Sequence, residues 1–271
     1  MLTGVPGLDE ILRGGLIRDR LYLIEGAPGS GKTTMALQFL LEGVERGESC
    51  MFVSLSESTN ELKTSAAMAH GWDLDRIHIL EIIASERNLQ VEAPYTMFHP
   101  ADVELSETVT MVLDEVDRIK PSRVVFDSLS ELRLLSENTL RYRRQILALK
   151  RHFQSRHSTV FFIDDLTGVN GDMDLHSLAH GVITLVRKTT DYGTIRRYLQ
   201  VSKLRGRAFR EGMHDFTIQS GGVRVFPRLT RPEQAQAFVP QDIKSGLGPL
   251  DDLLGGGLQK GTSTLNSGAV G

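Results

Sequence analysis

Apolar residues follow two alternating patterns through the first 165 residues of the chain. Short apolar runs predict buried strands, at 21–25, 50–55, 77–83, 123–127 and 158–164. Apolar positions at helical spacing predict helices between those strands: one after residue 34, one capped by Ser58 or Thr59, and others at about 104–119 and at 138–155. Strands that alternate with helices are typical of a parallel sheet covered on both faces, so we expect an α/β fold.

Three later segments depart from this alternation. Residues 84–103 have little periodicity and contain two prolines, so we expect a surface loop there. After residue 180, the closely spaced runs GVITLVRK, RRYLQVSKL, HDFTIQ and GVRVF predict antiparallel strands added to one edge of the sheet. Residues 227–244 are polar, contain three prolines and are predicted to be a linker.

An internal repeat links the two ends of the chain. Residues 3–29 align without gaps with residues 245–271, and eleven of these 27 positions are identical. The second copy reaches the first glycines of the loop described below but not the Ser-Gly-Lys-Thr that follows them in the first copy. We therefore expect a nucleotide-binding domain over residues 1–239, and a linker with the incomplete start of a second such domain over 240–271.

Composition narrows the class of protein. The net charge is −3, from 31 basic and 34 acidic residues, which disfavours a protein that coats nucleic acid. One cysteine, Cys50, excludes an intramolecular disulfide and disfavours a cysteine-based metal site. The N-terminus does not have the pattern of a secretory signal, and no apolar stretch is long enough to span a membrane. We expect a cytoplasmic protein without a membrane partner.

The strongest chemical signal is the glycine-rich run at 26–33, which fits the pattern G-x-x-x-x-G-K-[ST] between a strand and a helix. Small residues let consecutive backbone N–H groups converge on a phosphate chain, and the start of a helix favours the same anion. Lys32 can reach the β- and γ-phosphates, and the Thr33 hydroxyl can join the Mg²⁺ shell. The predicted nucleotide-binding residues are Gly26, Ala27, Pro28, Gly29, Ser30, Gly31, Lys32, Thr33 and Thr34.

Two carboxylates at strand ends complete the predicted catalytic site. Asp127 ends an apolar strand, where it can hold Mg²⁺ beside the phosphate loop; otherwise it caps the next turn. Glu57 follows the strand at 50–55 and can orient and deprotonate an attacking water; otherwise it stabilises the first turn of the next helix.

A basic run follows the late strand. Lys203 and Arg205 alternate along it and therefore point to one face, with Arg207 and Arg210 beyond them. One interpretation is a solvated edge. The other is a cationic finger that neutralises γ-phosphate charge from a second subunit, which requires a homo-oligomer.

The segments GVPGLDEILRGGL, GAPGSGKTT, FVSLSES and VSKLRG resemble the KaiC family of RecA-like P-loop ATPases, over about residues 3–226. The resemblance implies a RecA-like fold, ATP and Mg²⁺ as ligands, and a ring, usually hexameric, with nucleotide between subunits. It assigns Lys32, Thr33 and Asp127 to phosphate and Mg²⁺, and the segment from Lys203 to Gly206 to the neighbour's γ-phosphate. It also implies a regulatory role with a protein partner.

The sequence departs from the clock members of the family at one position. They carry two adjacent glutamates at the catalytic site, whereas this chain has Ser56 and Glu57, which leaves Glu57 as the single candidate base and puts a clock role in doubt. Their autophosphorylated residues lie in a second domain, so autokinase activity is unsupported here.

Two alternative functions remain open. A DNA-dependent ATPase that resembles RadA or a replicative helicase needs basic or aromatic loops, whereas residues 165–176 are acidic, so nucleic acid is a disfavoured partner. A slow nucleotide sensor that acts through partner binding is the other alternative.

Overall fold

The computed structural model describes residues 1–82, 100–134, 136, 138–165, 173–189, 191–229, 241–265 and 267–268, with side chains from 105 and from 175 in the helices that begin at 100 and 173. The chain divides into two compact units, Met1–Arg228 and Leu229–Gly271.

The described residues of the first unit form nine strands. Their bounds are β1 Leu21–Gly26, β2 Cys50–Ser54, β3 His78–Glu81, β4 Arg123–Asp127, β5 Thr159–Asp165, β6 Gly181–Thr189, β7 Ile195–Leu204, β8 Met213–Gln219 and β9 Gly222–Phe226. They form one sheet in the order β3-β2-β4-β5-β1-β6-β7-β8-β9. The predicted strands within the first 165 residues are all present, and the α/β fold class is confirmed.

One predicted strand direction was wrong. The run GVITLVRK forms β6, which pairs in parallel with β1, so it extends the parallel part of the sheet. Only β7, β8 and β9 continue as antiparallel neighbours. Spacing along the chain could not reveal the difference, because the connection from β5 to β6 contains a short helix whose residues lack a clear period.

The helices of the first unit cover both faces of the sheet. Their bounds are α1 Leu8–Ile11, α2 Lys32–Glu45, α3 Thr59–His70, α4 Pro100–Ile119, α5 Leu129–Leu134, α6 Thr139–Ser155 and α7 Met173–Leu178. The loop predicted at 84–103 was wrong at its end, because α4 already begins at Pro100, a residue that fits a first helical turn. Residues 83–99 lie outside the described part.

Local sequence explains where α3 begins and ends and where α6 begins. Ser58 and Glu61 form a capping box at the start of α3, and Gly71 ends that helix in the left-handed region with φ 71°. Asn138 caps α6 by accepting a hydrogen bond from the backbone N–H of Leu140 at 2.8 Å. Both predicted helices are confirmed.

Two apolar cores flank the sheet. Helices α1, α2 and α3 pack against one face, on which Phe39 stacks on Phe161 with ring centroids 4.1 Å apart. Helices α4, α5, α6 and α7 pack against the other face. All six residues of β1 are buried, because this strand lies in the middle of the sheet with helices on both sides. The glycine-rich loop that follows β1 is therefore attached to a buried strand in the middle of the sheet.

The described part of the second unit, residues 229, 241–265 and 267–268, contains β10 Asp242–Ile243, α8 Gly248–Leu253 and β11 Leu258–Gln259. The two short strands pair antiparallel. Most of the predicted linker, residues 230–240, lies outside the described part. Within the described residues of the chain, none of the helices has the length and apolar character needed to cross a membrane.

Candidate active site

The loop at residues 26–33 joins the end of β1 to the start of α2, as the motif predicts. Gly29 and Gly31 have φ angles of 72° and 104°, a left-handed conformation that favours glycine. A loop with glycines in this conformation, placed at a helix start, can direct backbone N–H groups toward a bound anion. The loop and the first turn of α2 contain the predicted nucleotide-binding residues: Gly26, Ala27, Pro28, Gly29, Ser30, Gly31, Lys32, Thr33 and Thr34.

The Lys32 ammonium is held by three acceptors. Its side chain is buried, and Nζ donates to the carbonyl oxygens of Gly26 at 2.9 Å and Ala27 at 3.0 Å. Its third partner is Asp165, whose Oδ1 lies 2.7 Å away. Sequence reasoning missed Asp165, which ends β5. The signal that could have found it is its place at the end of a strand: β5 and β1 pair in parallel, and Asp165 lies opposite Gly26 at the start of the loop.

The hydroxyl of Thr33 donates to Asp127 Oδ2 at 2.7 Å, so the two predicted metal-binding side chains are adjacent. The pKa of Asp127 is raised to about 6, chiefly by burial; the negative charges of Glu57 and Asp165 contribute to the rise, while Thr33 and Lys32 oppose it. A buried carboxylate whose negative charge is poorly compensated is a good ligand for a divalent cation, because the cation supplies the missing positive charge.

Glu57 lies three residues after the end of β2. Ser54, the last residue of β2, is opposite Asp127 in the parallel pair of β2 with β4. The Ser54 hydroxyl donates to the Glu57 carbonyl at 2.6 Å and so fixes the turn. The Glu57 side chain is exposed, and its charge acts on Asp127. The structure therefore places Glu57 at the same edge of the sheet as the phosphate loop.

A buried carboxylate ahead of the loop connects it to α7. Glu25 accepts a hydrogen bond from Thr184 at 2.8 Å and lies 2.6 Å from His176 Nε2. Sequence reasoning missed both Glu25 and His176, since neither stands in a recognisable motif. The contact ties α7, which follows β5, to the strand that carries the phosphate loop.

Lys203 and Arg205 contact the end of α7. Lys203 Nζ donates to the carbonyl of His176, and Arg205 Nη2 donates to the carbonyl of Ser177 at 2.9 Å. Both cations thus lie at the negative end of a short helix. Burial and the charge of Arg205 lower the pKa of Lys203.

These two cations are not close to the phosphate loop of their own chain. Lys203 lies opposite Val182, whose neighbour in β1 is Leu23, whereas the loop begins after the other end of β1. Arg207 and Arg210 bond to groups of the N-terminal segment instead. Within one chain, the structure brings together Lys32, Thr33, Asp127 and Glu57, and it separates Lys203 and Arg205 from them.

Among the described residues, no three His, Cys, Asp or Glu side chains form a group that could hold a metal ion. A cation at Thr33 and Asp127 would therefore need oxygen ligands from a bound molecule or from water. Mg²⁺ commonly binds in this way, with one or two protein ligands and phosphate oxygens.

Comparison with known proteins shows which family the domain that carries this site resembles. The family model for the KaiC ATPase matches residues 1–230. A circadian clock oscillator protein KaiC from Parathermosynechococcus lividus is 26% identical over 99% of this chain and 50% of its own length. The circadian clock protein KaiC2 from a Synechocystis strain is 30% identical over 99% of this chain and 47% of its own length.

Shorter relatives match over most of their length. A UPF0273 protein from Pyrococcus horikoshii is 29% identical over 83% of this chain and 93% of its own. The crystal structure of a KaiC-like protein from the same archaeon superposes with a TM-score of 0.70, at 25% identity, over 84% of this chain and 98% of the other. The chain spans about half the length of the clock relatives.

Proposed function

Because this chain belongs to the KaiC family of ATPases, we propose that it binds ATP together with Mg²⁺ and hydrolyses the terminal phosphoanhydride. One observation carries the proposal: Lys32, Thr33, Asp127 and Asp165 converge where β1 enters the phosphate loop. Family membership adds the nucleotide, and the arrangement supplies groups suited to a triphosphate and a divalent cation.

The residues of the loop fit the proposed ligands. The Ser30 hydroxyl is buried and has no hydrogen-bond partner among the described residues, so a donor is free beside the space for an anion. Lys32 already points along the loop, and a phosphate can replace Asp165 as the partner of its ammonium. Thr33 and Asp127 would hold Mg²⁺, which when bound draws negative charge from the phosphate oxygens.

Glu57 is the proposed general base. It is exposed beside the loop and can accept a proton from a water molecule held near the terminal phosphate. Lys32 stays fixed while charge develops on the phosphate, because its stem is buried and its ammonium has fixed neighbours.

We assign Lys203 and Arg205 to the site of a neighbouring subunit. Because both lie away from the loop of their own chain, we expect them to contact the γ-phosphate bound by a neighbouring subunit. This requires a homo-oligomer, and a closed ring, hexameric as the family resemblance implies, satisfies every site in the same way. The proposed setting is a cytoplasmic regulatory protein with a protein partner.

A three-variant experiment tests the hydrolytic site. Calorimetric titration with ATP and Mg²⁺ and a phosphate-release assay are run on the intact chain. Lys32→Ala should lose ATP binding, whereas Glu57→Gln should keep binding and lose about a hundredfold or more in turnover. Glu45→Gln, at the far end of α2, is the matched control and should behave as the wild type. Absence of ATP binding by the wild type would refute the proposal, and normal turnover by Glu57→Gln would refute the assignment of the base.

Mixing subunits tests the contact in trans. Arg205→Ala subunits and Glu57→Gln subunits are each expected to be inactive alone. In mixed oligomers, some sites combine an intact Glu57 with an intact Arg205 from the neighbour, so turnover should return in part. No recovery at any mixing ratio would contradict the assignment in trans, and native mass measurement would give the size of the ring.

A further inference from the structure

Three cations converge on the last turn of α7. Lys203 and Arg205 donate to two successive backbone carbonyls there. Lys150, on α6, donates to the next carbonyl, that of Leu178, at 2.7 Å. The three cations repel one another: burial and the charge of Arg205 lower the pKa of Lys150, as they lower the pKa of Lys203. The carbonyls at the negative end of α7 therefore hold together charges that would otherwise separate.

An extra residue in β7 turns Lys203 toward α7. In the pairing of β6 with β7, Val182 lies opposite Lys203 and Ile183 lies opposite Val201, so Ser202 is the extra residue of a β-bulge. Val182 packs in the core on the α7 side of the sheet, whereas Ile183 and Val201 pack in the core on the other side. By simple alternation from Val201, Lys203 would face away from α7. The bulge is therefore what brings this ammonium to the carbonyls of α7.

A row of polar side chains links the bulge to the start of the phosphate loop. The Thr184 hydroxyl, on β6, donates to Glu25 at 2.8 Å and lies 3.1 Å from the Ser202 hydroxyl on β7. Glu25 lies opposite Thr184 in the parallel pair of β1 with β6, and the loop begins at the next residue, Gly26. The root of the phosphate loop is thus connected across three strands to the residue that precedes Lys203.

His176 closes this set of contacts from α7. Its Nε2 lies 2.6 Å from Glu25 Oε2, and its own backbone carbonyl accepts from Lys203. The buried Glu25 thus uses one carboxylate oxygen toward His176 and the other toward Thr184. Glu25 is therefore arranged to hold the last turn of α7 rather than to contact a nucleotide.

We propose that Glu25 and His176 are positioning residues for Lys203 and Arg205, the cationic finger that a subunit presents to its neighbour. His176, anchored on Glu25, fixes the carbonyl that holds Lys203, and the ammonium keeps further N–H groups for the γ-phosphate of the neighbouring site. Donors that are held in place stabilise developing charge without having to reorganise. Glu25 thus serves the neighbouring site, although it directly precedes the phosphate loop of its own subunit. The inference rests on the proposed function, since it names the residues that position the finger assigned there.

Subunit mixing tests this inference, because a defective finger and a defective own site are rescued by different partners. His176→Ala removes the contact with Glu25 and keeps the backbone carbonyl; its side chain is 35% exposed, so the core stays filled. His176→Gln, whose amide can donate to Glu25, is the conservative variant. His152→Ala is the matched control, because His152 also lies on a helix with its Nε2 2.7 Å from a carboxylate, that of Asp117. Calorimetry with ATP and Mg²⁺ and thermal unfolding are run on each variant.

We expect His176→Ala to bind ATP as the wild type does and to lose about tenfold in turnover, because the finger is displaced from its position. His176→Gln should recover most of this loss, and His152→Ala should turn over normally. Mixing His176→Ala with Glu57→Gln subunits should raise turnover above the mean of the two alone, since Glu57→Gln supplies an intact finger. Mixing it with Arg205→Ala should not, since neither subunit then supplies one.

The opposite mixing pattern, recovery with Arg205→Ala but not with Glu57→Gln, would place the defect in the subunit's own site and overturn the inference. Unchanged turnover in His176→Ala would overturn it as well. Thr184→Val, which removes the other hydrogen bond to Glu25, should give the same mixing pattern and tests the inference without altering α7. If Arg205→Ala and Glu57→Gln themselves fail to complement each other, the proposed contact in trans is overturned, and this inference with it.

Discussion

The two copies of the internal repeat form the same turn in different surroundings. In the first copy, Asp9 Oδ1 accepts a hydrogen bond from the backbone N–H of Thr3 at 3.0 Å. In the second, Asp251 Oδ1 accepts from the N–H of Ser245 at 2.7 Å. Each aspartate lies in a short helix, α1 or α8, and joins it to the segment ahead. The sequence of each copy is therefore sufficient to specify this local geometry.

The glycines that end each turn repeat as well. Gly14 and its counterpart Gly256 have φ angles of 113° and 136°, and their N–H groups donate to the carbonyls of Asp9 and Asp251, both at 2.8 Å. A residue with a side chain is strained in this conformation. The pair of identical glycines therefore reflects a backbone requirement that both copies share.

Burial separates the two copies. Ile11 of α1 is fully buried against the sheet and α2, whereas its counterpart Leu253 of α8 is 82% exposed. In the first unit, β9 also bonds to this segment, through the N–H of Val225 and the carbonyl of Pro6 at 2.9 Å. The described residues of the second unit supply only β10 and β11 beside α8. A turn can thus form locally, but its apolar side chains stabilise the fold only where other elements cover them.

The largest expected difference between the copies comes from truncating these apolar side chains. Ile11→Ala should lower the free energy of unfolding by about 2–5 kcal/mol, because it leaves a cavity in a packed core. Leu253→Ala should change it by less than about 0.5 kcal/mol, because its side chain is already in water. Urea unfolding measures both. Comparable losses would show that α8 is buried in solution and would break the comparison.

Nucleotide should sharpen the same contrast, since the first copy leads into Lys32 and Thr33 of the candidate site. At about a hundredfold excess over its dissociation constant, ATP with Mg²⁺ should stabilise the first unit by about 3 kcal/mol. Amide hydrogen exchange should slow within residues 1–228 and stay unchanged at 241–265. Lys32→Ala is the control and should abolish the effect. Equal protection of both units would contradict the assignment of the ligand to the first.

The fold was largely predictable, because its signals are local. The buried run of β1, the capping box of Ser58 and Glu61, and the apolar face of α6 each depend on neighbours in sequence. The direction of β6 was not predictable from such signals, because it depends on the connection from β5 through the short helix α7. The short helices α5 and α7 also lacked a period long enough to detect.

The residues of the candidate site also fall into those that local sequence signals could predict and those that it could not. Lys32, Thr33 and Asp127 stand in or beside recognisable patterns, and the structure brings Thr33 to within 2.7 Å of Asp127. Asp165 carries no motif. Its place beside the loop follows from strand register and strand order, which a single sequence without a structure does not give.

The smallest predicted effect is a difference in acidity between Asp9 and Asp251, which occupy the same position of the turn. Burial raises the pKa of Asp9 above its ordinary value of 3.8, and the hydrogen bonds from Thr3 only partly oppose it. Hydrogen bonds from Ser245 lower the pKa of Asp251 below the same value. Titration of the two carboxyl carbons by NMR should give midpoints on opposite sides of 3.8.

The two shifts have opposite consequences for stability. Folding favours the protonated form of Asp9, so its contribution is present below pH 3.8 and is lost as the pH rises through the folded pKa. Folding favours the charged form of Asp251, so its contribution is present above pH 3.8 and is lost as the pH falls. In the wild type, the free energy of unfolding should therefore decline with rising pH, by about 1 kcal/mol for each unit by which the pKa of Asp9 is displaced. Asp9→Asn should remove this decline. Midpoints on the same side of 3.8 would mean that the two turns share one environment, against the difference in burial between Ile11 and Leu253.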